Sequence, residues 1–221
     1  MLKISDIKKS FGKKRILNGI SVCAEEGDCV GIFGVNGSGK STFFNVLAGI
    51  SSCDAGSFTF GDVSLFSDKS YRSNVLGYVT QSPPLIDELC AYDNLLLWYD
   101  RKSLKRELED GVLKMLGIDA FLKVRVSKMS GGMKKRLAIG CAVAHKPKIL
   151  LLDEPSAALD LVCKERIAQY LADFKNNGGI ILIATHDVQD IPLCDKMYIF
   201  KDGYANEYDF DGNVQNLISS L

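Results

Sequence analysis

Apolar and polar residues alternate along the first two dozen positions, with Leu2, Ile4, Ile16, Ile20 and Val22 on one parity. A period of two predicts edge-type antiparallel strands, with Gly12 and Asn18-Gly19 supplying turns. Glu26-Gly27-Asp28 then turns the chain into Cys29-Val-Gly-Ile-Phe33, a short and nearly all-apolar strand. From Ser41 to Ile50 the period lengthens, and Phe43, Val46, Leu47 and Ile50 recur at helical spacing. Phe58-Thr-Phe60, the Gly61-Asp62 turn and Val63 read as a hairpin, and Leu76 to Thr80 as one more strand.

Between Ser82 and about His145 the pattern is helical: Leu95 to Trp98, then Leu104, Leu108, Val112, Met115 and Leu116, divided by turns such as Gly117. Beyond Pro147 it returns to strand (Ile149 to Leu152), helix (Leu161 to Lys175) and strand (Ile180 to Ala184). A short strand at Met197 to Phe200 and an amphipathic helix through Val214, Leu217, Ile218 and Leu221 end the chain. Apolar strands between helices predict an α/β fold with a mostly parallel sheet covered on both faces. An N-terminal antiparallel β-subdomain and an inserted helical subdomain complete it. The expected organisation is a single domain over 1–221, with β-subdomain and core in 1–81 and 146–221 and helices in about 82–145.

Composition narrows the partners. The 221 residues carry 27 basic and 27 acidic side chains, a net charge of zero, which argues against a nucleic-acid protein driven by a basic field. The seven cysteines are odd in number and form no CxxC pair, which suits a reduced, cytosolic setting. Lys148-Ile-Leu-Leu-Leu and Gly179-Ile-Ile-Leu-Ile-Ala are too short to span a membrane, so a role there is expected to come through a partner.

The chemistry starts at Gly34-Val-Asn-Gly-Ser-Gly-Lys40-Ser41, which fills the spacing G-x-x-x-x-G-K-S between a predicted strand and a predicted helix. Gly34, Gly37 and Gly39 permit backbone torsions and approaches that a side chain blocks, so successive N–H groups can face phosphate oxygens. The helix beginning there adds its positive dipole end. Lys40 can bridge the terminal phosphates of a nucleotide, and the Ser41 hydroxyl can ligate magnesium. Asn36, Ser38 and Thr42 belong to the same candidate nucleotide cradle. Downstream, the apolar strand Ile149 to Leu152 ends in Asp153-Glu154. Ligand sites of open parallel sheets lie at the strands' carboxyl ends, so these carboxylates should face the loop. Asp153 is a candidate magnesium anchor; Glu154 is suited to polarise a water, as general base or by orientation.

Gln81 after the strand Tyr78 to Thr80, Ser130-Gly131-Gly132-Met133-Lys134-Lys135-Arg136 before a helical run, and Ala184-Thr185-His186-Asp187 at the end of an apolar strand complete the set. With these five motifs the chain resembles the ATP-binding cassette (ABC) ATPases from about Leu2 to Tyr204. The resemblance implies the P-loop NTPase core of the ABC ATPase fold, ATP as substrate and Mg2+ as cofactor. It implies adenine stacking on Phe11, magnesium contact and lobe linkage by Gln81, and γ-phosphate contact by His186. Ser130, Gly131, Gly132 and Asp160 would meet a nucleotide held by a second subunit, and Ser156 to Asp160 would form the loop across that seam. The signature departs from the usual Leu-Ser-Gly-Gly-Gln at Met133, and Ala158 stands where glycine is frequent.

The resemblance thus implies a Mg-dependent ATPase that pairs head to tail with a copy of itself or a related chain. It would lie on the cytoplasmic face of a membrane through a separate integral permease, with a leaning toward export. The competing expectation is a soluble single-cassette ATPase in an assembly or regulatory process. A phosphate-loop kinase leaves Ser130 to Gly132 and His186 unexplained.

Overall fold

The computed structural model describes residues 1–156 and 159–221. The chain runs β1 (Leu2–Phe11), β2 (Lys14–Ala24), β3 (Cys29–Phe33), α1 (Lys40–Ala48), β4 (Ala55–Phe60), β5 (Val63–Ser64), α2 (Lys69–Val75) and β6 (Leu76–Val79). There follow α3 (Ala91–Leu96), α4 (Arg101–Asp110), α5 (Val112–Met115), α6 (Gly131–Ala142), β7 (Ile149–Asp153), α7 (Leu161–Asn176) and β8 (Ile180–Thr185). A 3-10 helix at Val188–Leu193 leads to β9 (Lys196–Lys201), β10 (Tyr204–Glu207) and α8 (Val214–Ser220).

Two sheets result. The N-terminal strands form an antiparallel sheet in the order β2-β1-β4-β5, and the others form a six-stranded sheet in the order β10-β9-β3-β8-β7-β6. In the second sheet β9, β3, β8, β7 and β6 are parallel, and β10 is antiparallel to β9 at the edge. Every residue of β3, β7 and β8 is buried. That explains their uniformly apolar spelling: helices cover both faces, so no parity is free to be polar. One apolar cluster joins the antiparallel sheet and α1 to one face, a second joins the helices between β6 and β7, with α7, to the opposite face, and a third seats Leu217 of α8 against Phe33, Met197 and Ile199.

Three expectations need correction. Asn18-Gly19 is no turn: β2 runs through it, and Gly19 adopts φ 117° where the register with β1 shifts. A Cβ there would stand 2.7 Å from the Asp6 carboxylate, so glycine serves a close approach within the ladder. Nor is β1 an edge strand, since it lies between β2 and β4. The helix at Leu95 to Trp98 ends at Leu96, and Leu97 and Trp98 project into solvent at 59% and 62% exposure. Among the described residues, no helix is long and apolar enough to cross a membrane.

Candidate functional site

Parallel pairing sets the site's geometry. Phe33 aligns with Thr185, Asp153 with Ala184 and Val79 with Leu152. The segments after β3, β6, β7 and β8 therefore leave the sheet side by side. They carry the loop Gly34 to Gly39, Gln81, Glu154 and His186. Residues far apart in sequence meet because four strands end together.

The loop's shape follows from its glycines. Gly39 adopts φ 106° as the N-cap of α1, a left-handed conformation that costs a side-chain-bearing residue energy. A Cβ on Gly34 would stand 2.6 Å from the Phe200 carbonyl oxygen, so only hydrogen fits. Phe43 and Phe44 are fully buried and anchor α1, each stabilising the fold by roughly 1.5–3 kcal/mol. That anchoring keeps the helix N-terminus aimed at the cavity.

The Lys40 ammonium folds back on this loop, donating to the carbonyls of Gly34 at 2.6 Å and Val35 at 3.2 Å. Burial pulls its pKa down, while Glu154 and Asp153 oppose the shift. Asn36, Gly37, Gly39, Lys40, Ser41, Thr42, Gln81 and Glu154 line a cavity of about 410 Å3. Ile16 of β2 also lines it, although the alternation pattern marks Ile16 only as a strand residue. Ser38 sits deeper, with its hydroxyl oxygen buried and without a hydrogen-bond partner among the described residues.

Glu154 is the hub. Its Oε2 accepts from Gln81 Nε2 at 3.0 Å, and its Oε1 lies 2.9 Å from His186 Nδ1. A carboxylate only accepts, so the His186 proton belongs on Nδ1 and Nε2 is left for another partner. Glu154 has φ 50°, a left-handed conformation uncommon outside glycine, and its N–H donates to the Ala184 carbonyl at 2.8 Å. Asp153 is 2% exposed, and its Oδ1 has no hydrogen-bond partner among the described residues. Burial pushes its pKa up, partly offset by the neighbouring Ser41 hydroxyl and by the charges of Lys135 and Lys40.

Lys135 escaped notice in the sequence, where it reads as one basic residue among several. It is 6% exposed, and its ammonium donates to the carbonyls of Thr80, Gln81 and Asp153 at 3.3, 3.5 and 3.4 Å. Burial lowers its pKa as well. This cation ties α6 to the ends of β6 and β7.

Other candidate residues lie elsewhere. Ser130 caps α6 by accepting from the Met133 N–H at 3.2 Å, and Gly131 is exposed beside it. Asp160 caps α7, accepting from the Cys163 N–H at 2.8 Å, a bond that holds its carboxyl below the ordinary range. Gly132 packs on Cys163: a Cβ would stand 2.6 Å from its sulfur. Ser130, Gly131, Gly132 and Asp160 thus form a second group, absent from the lining of the phosphate-loop cavity. Phe11 is 55% exposed at the end of β1, its ring 5.2 Å from the Lys9 ammonium, and it too lies outside that lining. Ala158, named for its place in the seam loop, lies outside the described residues.

A larger cavity, about 660 Å3, opens at the amino ends of β7 and β8, lined by Glu107, Met115, Lys146, Tyr170 and Phe174 among others. It holds none of the predicted residues, and chemistry rather than size selects the smaller one. All seven cysteines are free thiols.

Residues 17–157 match the family model described as ABC transporter. A lantibiotic transport ATP-binding protein, SrtF of Streptococcus pyogenes, is 32% identical over 224 residues, covering 100% of this chain and 96% of that protein. The Nod factor export ATP-binding protein I of Rhizobium etli is 30% identical over 225 residues, covering 100% of this chain and 70% of that protein. Among solved structures, the dimeric post-hydrolysis state of the ATP-binding cassette MJ0796 bound to ADP and Pi superposes with a TM-score of 0.84 at 29% identity. It covers 96% of this chain and 100% of that one.

Proposed function

The chain belongs to the ABC transporter ATP-binding family, which binds and hydrolyses ATP, and from that premise we propose how its own residues divide the work. It is the ATP-hydrolysing subunit of a transporter, paired across a two-fold seam and coupled to a separate membrane permease. One observation carries the assignment of roles: Glu154 holds Gln81 and His186 on its two carboxylate oxygens at the mouth of the phosphate-loop cavity.

Lys40 exchanges its loop carbonyls for the β- and γ-phosphates, and the N–H groups from Gly34 to Thr42 cradle the phosphate chain. Phe11 stacks on the adenine at the cavity's edge. Ser41, Gln81 and Asp153 would hold Mg2+. The fit is supported by the unpartnered Asp153 Oδ1 and by an all-oxygen donor set of hydroxyl, amide and carboxylate. Bound there, the ion supplies charge neutralisation to the phosphates.

Glu154 takes the proton of the attacking water. Its Oε2 becomes free for that proton when Gln81 releases it. His186 keeps Glu154 oriented through Nδ1–H, and to hold the γ-phosphate it carries a proton on Nε2 as well, so that the ring donates from both nitrogens. ADP and phosphate leave, and the seam opens.

The trans contacts are assigned to Ser130, Gly131, Gly132 and Asp160 of the second copy. Support comes from their separation from the cavity within one chain and from the dimeric MJ0796 cassette. Exposed Ile86 and Tyr92, in the stretch that follows Gln81, offer apolar surface for the permease. The leaning toward export draws support from the relative named for Nod factor export. The decisive experiment is ATP turnover by Glu154→Gln. Loss of hydrolysis with retained ATP binding supports the assignment, and turnover at the parent rate overturns it. Co-purification with a multispanning protein tests the permease coupling.

A further inference from the structure

Outside the cavity, Asp190 stands out as a buried carboxylate. It is 3% exposed, in the 3-10 helix Val188–Leu193. Its Oδ2 accepts from Ser156 Oγ at 2.8 Å and Thr185 Oγ1 at 2.6 Å. Thr185 Oγ1 in turn accepts from the Asp187 N–H at 2.9 Å. The nearby Lys164 is committed elsewhere, pairing with Asp187 at 3.0 Å and donating to Gln189 at 2.6 Å. A buried carboxylate without its own counter-ion among the described residues is costly, and two hydroxyl bonds offset that cost only in part. Its presence therefore calls for a role other than stability.

The connectivity supplies one. Ser156 stands two residues after Glu154 and opens the seam loop; Thr185 immediately precedes His186. Glu154 and His186 touch at 2.9 Å. The bonds close a ring: Glu154, Pro155, Ser156, Asp190, Thr185, His186 and back to Glu154. Within it Glu154 keeps its φ of 50°, a conformation that persists only where the surroundings over-determine it.

The geometry points to Asp190 as a positioning residue, one that couples the place of the seam loop to the alignment of Glu154 against His186. A second copy that shifts the seam loop pulls on Ser156, and Asp190 passes that displacement to the histidine strand without touching nucleotide. This rests on the roles given above to Glu154 and His186.

The test measures kcat and KM for ATP in Asp190→Leu, Asp190→Asn, Ser156→Ala and Thr185→Val, each with a thermal melt. Asp190→Leu is expected to lose kcat by about 10-fold or more, as positioning partners of reacting groups do, with KM within about two-fold. Asp190→Asn keeps an acceptor oxygen for both hydroxyls and should stay within about three-fold of the parent kcat. Ser156→Ala should lower kcat, and adding it to Asp190→Leu should cost little more, because both break the same ring. Should Asp190→Leu fail to fold, Ser156→Ala and Thr185→Val read the same ring from its other members. The inference is overturned if the folded variants keep the parent kcat, or if Asp190→Asn falls as far as Asp190→Leu. Loss of activity in Glu154→Gln beside unchanged ring variants condemns this inference alone; an active Glu154→Gln condemns the catalytic reading instead.

Discussion

The two halves of the chemistry are built in opposite ways. Around the phosphate loop, Lys40 is held by carbonyls and Glu154 by an amide and an imidazole, with Asp153 buried beside them, at the ends of four parallel strands. Around the signature, Ser130 and Gly131 are exposed at the start of α6, and Asp160 is exposed at the start of α7. The first group is pre-organised for charge; the second offers an exposed helix start, with the Met133 N–H capped by Ser130. One chain does not bring the two groups into one cavity, and the proposed pairing gives each half its complement on another molecule.

That comparison breaks first, and furthest, at the buried half. Glu154→Gln removes the proton acceptor and should lower turnover by at least about 100-fold while ATP affinity persists, as equilibrium binding beside steady-state turnover would show. On the exposed half, Gly131→Trp should lower turnover on the order of 100-fold by keeping the signature from a neighbour's phosphate. Among the described residues, nothing beyond its chain neighbours and its own helix lies within 4 Å of a Cβ built on Gly131, so this variant should melt with the parent. Gly132→Ala, which meets the Cys163 sulfur at 2.6 Å, should melt lower, and that contrast separates seam from core. At the edge between the halves, Phe11→Ala should raise KM for ATP by about three- to ten-fold with kcat unchanged, the worth of one stacking contact.

The smallest effect concerns stability. Burial pushes the Asp190 carboxyl above its ordinary range, with Asp187 adding to the shift and the hydroxyls of Thr185 and Ser156 and the charge of Lys164 opposing it. A raised native pKa means the folded state holds the proton more tightly than the unfolded chain. The stabilisation is complete below the unfolded carboxylate value and is lost as pH rises through the native one. Asp190→Asn has no charge to bury. It should therefore melt above the parent at neutral pH and lose that advantage under acid conditions.

What the sequence discloses follows the range of the interaction that sets each feature. Cys29 to Phe33 and Ile149 to Leu152 are legible as buried strands because a nearly all-apolar run has few other uses. The helix Lys69–Val75 escapes the pattern: only Val75 is buried, so no apolar stripe marks it. Tyr204–Glu207 escapes for the same reason, an edge strand of mostly exposed residues. In the site, the loop from Gly34 to Ser41 is legible because one local segment must satisfy one phosphate chain. Lys135 and Asp190 are not, because their partners lie 54 and 34 residues away at Gln81 and Ser156. No spacing rule connects such pairs before the sheet is folded.

The central claim is that a working site is made from the phosphate loop of one molecule and the signature of another. Mixing Glu154→Gln with Gly131→Trp, two proteins each inactive alone, tests it most directly. In an equal mixture half the pairs are mixed, and each mixed pair holds one intact site, so about a quarter of the parent turnover should return. A mixture no more active than the sum of its two components, with mixed pairs demonstrably formed, would contradict the account.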